Sequence, residues 1–360
     1  MLDFYWSLIL NGLARTFSGA TSIPCAGNSS ITTVEGLISC FDAYTVTQAF
    51  YSPESYAQAQ PSPAESSAWI DLVHSMLYID GNCTSLTIPN VLSDVYGITL
   101  FTEQSTSTPY CVLHELNAID SGVYAKGWGL MVVPNDRSST KLPGIHISAP
   151  HPAYDLHTPQ QAAALFAGTG AKSLLISGRI RTALFNATEC IHPSSASTVY
   201  YKTDPAHDDK EPFVVAIKEI HKWQNATGGC PGESCAFVQM HGKGAILAIQ
   251  FKSSPGRSAS SINWYTSNPN LPINRLQRNL RTIFPSWNIS SPSDSECGLT
   301  ATTNVFGRLV NGVAEDEVCV KGATAQGATG EFIHIEQASV SRQAEQYDAW
   351  IGALKETFGA

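Results

Sequence analysis

Gly144-Ile-His-Ile-Ser-Ala-Pro-His-Pro-Ala-Tyr-Asp-Leu-His-Thr-Pro-Gln-Gln-Ala-Ala-Ala-Leu-Phe166 reads as a strand, a polar turn and a helix in succession. Residues 144–150 alternate as a strand. Thr158 stands as N-cap and Pro159 at the first helical position of a helix that runs to glycines 168 and 170. Lys172-Ser-Leu-Leu-Ile-Ser177 follows as a short buried strand.

The same alternation extends outward. Trp128 to Pro134 reads as a strand, 212–224 as a helix and 235–240 as a strand. Asn274 to Ile283 is a basic amphipathic helix stopped by Pro285, 330–336 a strand, and Ser341 to Phe358 a long closing helix. Strand and helix in turn over some 200 residues predict an α/β fold, a mostly parallel or mixed central sheet flanked by helices. Residues 21–125 are more polar and are expected to form a β-rich N-terminal extension packed on a catalytic domain of 126–360. Residues 53–67 read as a loop leading into a helix at 64–78.

The chain has 360 residues, 14% of them charged against about 25% in an average soluble domain, and a net charge of −9. No basic patch stands out, so nucleic acid is excluded as a first-choice partner. With 43% hydrophobic residues the chain is not disordered, and no apolar run is long enough to span a membrane.

Five glycosylation sequons begin at Asn28, Asn82, Asn186, Asn225 and Asn288, and nine cysteines are scattered with no C-x-x-C pair. Both favour a secreted protein with disulfides over a zinc cluster. Proximity in sequence pairs Cys25 with Cys40, Cys83 with Cys111, Cys230 with Cys235 and Cys297 with Cys319, leaving Cys190 odd. Residues 1–20 read either as a degenerate signal peptide or as a wrongly translated start. They have a short apolar core and a small-residue cleavage site, but Asp3 stands where a positive charge is usual. The apolar run Ala245 to Phe251 reads either as another strand or as a mis-spliced boundary.

Three strands end in groups that bind metal or move protons: His151 with Asp155, His241, and Glu336. Ligands of open α/β sheets bind beyond the carboxyl ends of the strands. Two histidines and a carboxylate leave an open position on a zinc ion, where a bound water becomes acidic enough to attack a carbonyl. His151, Asp155 and His241 take the ligand roles, one zinc per chain, and Glu336 that of base. Gly242 is expected to let a ligand approach closely.

Arg179 and Arg181 follow the 172–177 strand and are candidates to clamp a substrate carboxylate. His207, in a polar cluster with Asp204 and Asp208, is a candidate to polarise a carbonyl or orient substrate, while Asp208 or Asp209 caps the helix at 212. His146 reads as structural. His334 shares the side of Glu336 and supports the site, and Glu331 ranks below Glu336 as a base. No nucleophile elbow, dinucleotide fingerprint or P-loop is present.

Ala-Pro-His-x-x-x-Asp-x-x-Thr (149–158), Val-Gln-Met-His-Gly (238–242) and Phe-Ile-His-Ile-Glu (332–336) together resemble the zinc carboxypeptidase-like superfamily. The similarity is greatest to N-formylglutamate amidohydrolases and phage poly-γ-glutamate hydrolases. Thr203 to Asp209 also resembles a stretch carried by a group of secreted fungal proteins. The resemblance covers about 128–355 and implies cleavage of an amide bond in a peptide or N-acyl amino acid substrate. It departs in one place: carboxypeptidases space the acid three residues after the first histidine, and here Asp155 lies four after His151. A non-catalytic secreted binding protein on the same fold and a metal-dependent esterase acting on cell-wall material remain the alternatives.

Overall fold

Strand, helix and strand from residue 142 to residue 176 form the middle of the molecule. The structure is a computed structural model that describes residues 21–119, 121–244, 248–252, 255–294 and 301–359. The candidate leader 1–20, Cys297 and the start of the apolar run at 245–247 lie outside the described residues.

In chain order the elements are β1 (Thr21–Ser22), α1 (Val34–Asp42), α2 (Pro53–Ala59), α3 (Pro63–Leu77), β2 (Tyr96–Glu103), β3 (Thr108–Glu115), β4 (Asn117–Ala118) and β5 (Leu130–Pro134). There follow β6 (Leu142–Ala149), α4 (Thr158–Thr169), β7 (Ala171–Ile176), α5 (Pro212–Thr227), β8 (Cys235–Gly242) and β9 (Ala248–Lys252). The chain closes with α6 (Ala259–Ser267), α7 (Pro272–Ile283), β10 (Asn288–Ser290), α8 (Val305–Val310), β11 (Phe332–Gln337) and α9 (Tyr347–Phe358).

Nine strands make one mixed sheet in the order β10-β9-β11-β8-β6-β7-β5-β3-β2. The inner four, β11, β8, β6 and β7, are parallel, and β5, β3 and β2 join antiparallel. Helices cover both faces. Leu165 and Phe166 of α4 and Trp350 and Leu354 of α9 pack on one face, together with Ile147, Val238 and Ile335 of the sheet. Trp69 and Leu72 of α3 and Phe213 and Ile217 of α5 pack on the other, over Phe237 and Phe332. Strands buried on both faces are apolar at nearly every position, as in Leu174-Leu-Ile176.

Several expectations change. Residues 21–125 are not chiefly β: they carry three helices, and their hairpin β2–β3 continues the main sheet through β5. Within 53–67, Ser52 caps α2 with Pro53 in its first turn, and Ser62 and Glu65 form a capping box on α3. Thr158 is the first residue of α4 rather than its cap. The cap position is His157, left-handed at φ 68°, while Thr158 Oγ1 donates to Asp155 O (2.7 Å). The closing helix begins at Tyr347, because Gln343 is extended and the Ser341 carbonyl accepts from the Trp350 indole and from Gln161.

Residues 248–252 form a strand, antiparallel to β11 and parallel to β10. Three disulfides pair as expected, but Cys319 bonds Cys190 rather than Cys297. Its partner is 129 residues away in sequence, a separation that proximity along the chain cannot anticipate. Four disulfides fit an extracellular protein, and no described helix is long and apolar enough to cross a membrane.

Candidate metal centre

The sheet reverses its winding at β6: α4 leads to β7 on one side, and α5 leads back to β8 on the other. Crevices for ligands open at such switch points, beyond the carboxyl ends of the strands. His151 follows β6, Asp155 lies in the turn before α4, and His241 is near the end of β8. All three are buried. His151 Nδ1 lies 3.1 Å from Asp155 Oδ2 and 3.1 Å from His241 Nδ1, and His241 Nδ1 lies 3.5 Å from Asp155 Oδ2. Nitrogen and oxygen donors about 2.0–2.1 Å from a tetrahedral zinc stand about 3.3 Å from one another. The triangle therefore has the size of a coordination face.

Bonds made by the other ring nitrogens fix the protons. His151 Nε2 is 3.0 Å from Asp204 Oδ1, a carboxylate that can only accept. His241 Nε2 is 2.9 Å from Gln239 Oε1. That oxygen also accepts from Asn304 Nδ2 (2.7 Å), and Asn304 Oδ1 in turn accepts from the backbone N–H of Gly307 (2.8 Å) at the start of α8. A backbone donor thus orients Asn304, Asn304 orients Gln239, and Gln239 fixes the tautomer of His241. The cost is a buried Gln239 Nε2 with no partner among the described residues. With both Nε2 atoms protonated, the two Nδ1 atoms and a carboxylate oxygen face one another, and such a set takes up either a proton or a metal ion.

Without a metal, the electrostatics favour a proton on His151 beside an ionised Asp155, a proton that a bound cation would displace. Burial disfavours a charged Asp155, but His151 and His241 outweigh it and hold the carboxyl well below the usual range. Burial and the Arg181 cation work against a proton on His151, yet Asp204 and Asp155 raise its pKa. Burial lowers that of His241.

Asp204, fully buried, is the hub that sequence reading placed in a polar cluster without a role. Besides His151 it accepts from His207 Nδ1 (2.9 Å), the backbone N–H of Ala206 (3.0 Å) and the Arg181 guanidinium. Arg181 remains partly exposed and lies over the Tyr154 ring. His207 has both nitrogens engaged, the second on Thr303 Oγ1 (3.2 Å), and its ring stacks on Tyr200. Gln239, two residues before His241 and so on the same strand face, was legible in principle from that spacing.

Glu336 lies beside His241 across the β8–β11 pairing. A Glu336 oxygen and one ring nitrogen each of His241 and His334 lie within 4.8 Å of one another. His334 stacks on His241 (3.9 Å) and reaches Glu336 Oε1 at 3.2 Å.

Other candidates fall elsewhere. Arg179 is wholly buried, paired with Glu211 at 3.3 Å and bonded to Gly127 O (3.2 Å), so it is not free to clamp a substrate. Asp208 accepts from Thr188 and Lys210 rather than capping α5, whose cap residue is Glu211. His146 is buried between Ser173 and Gln224. Glu331 sits at the opposite end of β11, 3.9 Å from His221, with its carboxyl pushed up to about 7 by burial. Gly242 leaves room not for a ligand but for the Arg342 guanidinium, which a Cβ there would strike. Arg342, which the sequence did not single out, donates to Leu156 O near the triad.

No family model and no curated protein sequence matches the chain. Among solved structures it is similar to a bacteriophage poly-gamma-glutamate hydrolase, with 15% identity, 60% of this chain and 84% of that one covered, and a TM-score of 0.31. It is similar also to the carboxypeptidase A from Helicoverpa armigera, with 10% identity, 84% and 74% covered, and a TM-score of 0.36. A third is the metallo-carboxypeptidase from Burkholderia cenocepacia, with 10% identity, 83% and 68% covered, and a TM-score of 0.33. Likeness of this degree carries no chemistry; the chemistry rests on the donor set.

Proposed function

We propose that the protein is a secreted zinc-dependent hydrolase of amide bonds, of the peptide or N-acyl amino acid type. One observation carries the reading: His151 Nδ1, His241 Nδ1 and Asp155 Oδ2 converge at coordination spacing, while the histidines' other nitrogens are bonded to Asp204 and Gln239. These three residues would hold the zinc, which when bound acidifies a water and polarises a carbonyl. Glu336, partly exposed beside His241, takes the proton, and His334 orients its carboxylate. Arg181 presents the exposed part of its guanidinium to a substrate anion while Asp204 anchors it. His207, with both nitrogens engaged, is a positioning residue that holds Asp204 rather than a group that touches substrate. Four disulfides and five sequon asparagines, all exposed, support secretion and glycosylation.

Metal analysis of the dialysed protein and turnover of peptides and N-acyl amino acids test this. About one zinc per chain is expected, lost in His241→Ala. Glu336→Gln should keep the zinc and lose turnover. No zinc after add-back, or full turnover in Glu336→Gln, would overturn the reading.

A further inference from the structure

At the other end of the same strands lies a cavity of about 660 Å³, within the size range of small-molecule sites. It opens beside Gly144, Lys172 and Cys235, at the starts of β6, β7 and β8. His241 stands six positions after Cys235 along β8, so the cavity is roughly 20 Å from the metal triad.

Its lining is unlike the rest of this acidic chain: it contains Lys172 and Arg137 and no Asp or Glu. Lys172 is 6% exposed. Its ammonium lies over the Trp223 ring at 5.1 Å, and no hydrogen bond or ion pair to it is found among the described residues. Asp80 acts on it from a distance but is paired with Arg137 at 3.5 Å. Burial and the Arg137 charge push the Lys172 ammonium down to about 8. A buried cation without an acceptor is costly, and an incoming anion would relieve that cost.

The remaining surface is aromatic and open. Tyr78 meets Trp223 edge-on at 6.0 Å. The Trp223 indole N–H is buried without a partner among the described residues. Gly228 and Gly229 leave the mouth clear, since a Cβ on either would meet nothing. The carbonyl end of α5 would oppose an anion, but two of its carbonyls are already covered: Thr227 Oγ1 donates to Trp223 O, and Gly228 N to Gln224 O.

We propose that this cavity is a second ligand site, taking a small molecule with a carboxylate on a planar apolar body. The carboxylate would meet Lys172 and Arg137, and the planar part would lie against Trp223 and Tyr78.

2-Naphthoate and its uncharged counterpart 2-naphthamide, titrated into the full chain with and without EDTA, test it. Naphthoate should bind about tenfold or more tighter than the amide, whether or not metal is present. Lys172→Met keeps the apolar stem and should erase that preference, while Lys172→Arg should retain it. The proposal is overturned if naphthoate does not bind up to about 1 mM or if the amide binds equally well. It is overturned too if the preference survives in Lys172→Met, or if EDTA abolishes it, which would place the anion at the metal triad. Should Lys172→Met not fold, the comparison of the two probes on the native chain and on Lys172→Arg decides. The metal reading stands or falls separately, by zinc content.

Discussion

If His151, Asp155 and His241 hold zinc only in the folded chain, zinc must raise the melting temperature by an amount that can be stated in advance. Free zinc at a hundred times Kd stabilises the native state by about 2.7 kcal/mol. Unfolding entropy of about 2.1 cal/mol/K per residue over 360 residues gives roughly 0.76 kcal/mol per degree. The expected rise is therefore about 3.5 °C.

Asp204→Asn probes the outer layer. It weakens the acceptor that keeps the proton on His151 Nε2. Loss of such a partner typically costs 10–100-fold in metal affinity. At the same zinc concentration the rise should shrink to about 0.5–2 °C. The metal-free variant also melts lower, because Arg181 and His207 lose a buried charge, so the readout is the zinc-dependent increment and not the absolute value. His241→Ala should show no increment. Scanning calorimetry at matched free zinc measures all three. A native chain that stays folded but shows no rise would refute the assignment of the triad, as would a full rise in His241→Ala.

Two other outcomes follow from the fold. Burial pushes the His146 imidazole down to about 4, against an unfolded value near 6.5. Between those values the unfolded chain binds a proton that the folded chain does not. Stability from this group is thus complete above pH 6.5, is lost as pH falls toward 4 and is level below, by about 3 kcal/mol in all; an NMR titration of His146 with a midpoint near 6.5 would contradict it. The Cys190–Cys319 bond closes a sequence separation of 129 and Cys230–Cys235 one of 5. Loop closure assigns them about 5 and 2 kcal/mol. Removing the first pair should lower stability more, and non-reducing peptide mapping should recover a 190–319 peptide rather than a 297–319 one.

The convergence of the candidate residues was legible in the sequence because strand ends can be located from apolar runs, and a residue just past such a run must lie at the sheet edge. His151, His241 and Glu336 are all of that kind. The spacing of four between His151 and Asp155 is accommodated by the turn in which Asp155 N donates to His151 O (2.9 Å), so one more residue than carboxypeptidases use still returns the acid to the histidine. Asp204 was not legible as a hub, since it lies in the long connection from β7 to α5, where no periodicity fixes direction. Arg179 and Arg181 looked equivalent, yet two residues apart one turns into the core against Glu211 and the other toward Asp204. The Cys190 pairing and the Arg342 contact with Leu156 join segments whose separation only the folded chain removes.

Two histidines and an aspartate within reach of one another do not by themselves make a metal centre, because a shared proton would satisfy them as well. The bonds behind the ring of His241 fix which face it offers to either occupant. Asn304 is the N-cap of α8, and its oxygen is committed to Gly307 N. Its amide nitrogen must then face Gln239, which must present its oxygen to His241. Turning Gln239 over would set two N–H donors against each other at 2.7 Å, a worse outcome than the unpartnered Gln239 Nε2 that the fold accepts. The lone pair that His241 turns toward His151 and Asp155 is thus set by a helix cap 65 residues downstream of Gln239 in sequence. The orientation of His241 at the end of β8 therefore depends on the folding of α8 as directly as on the strand that carries the histidine.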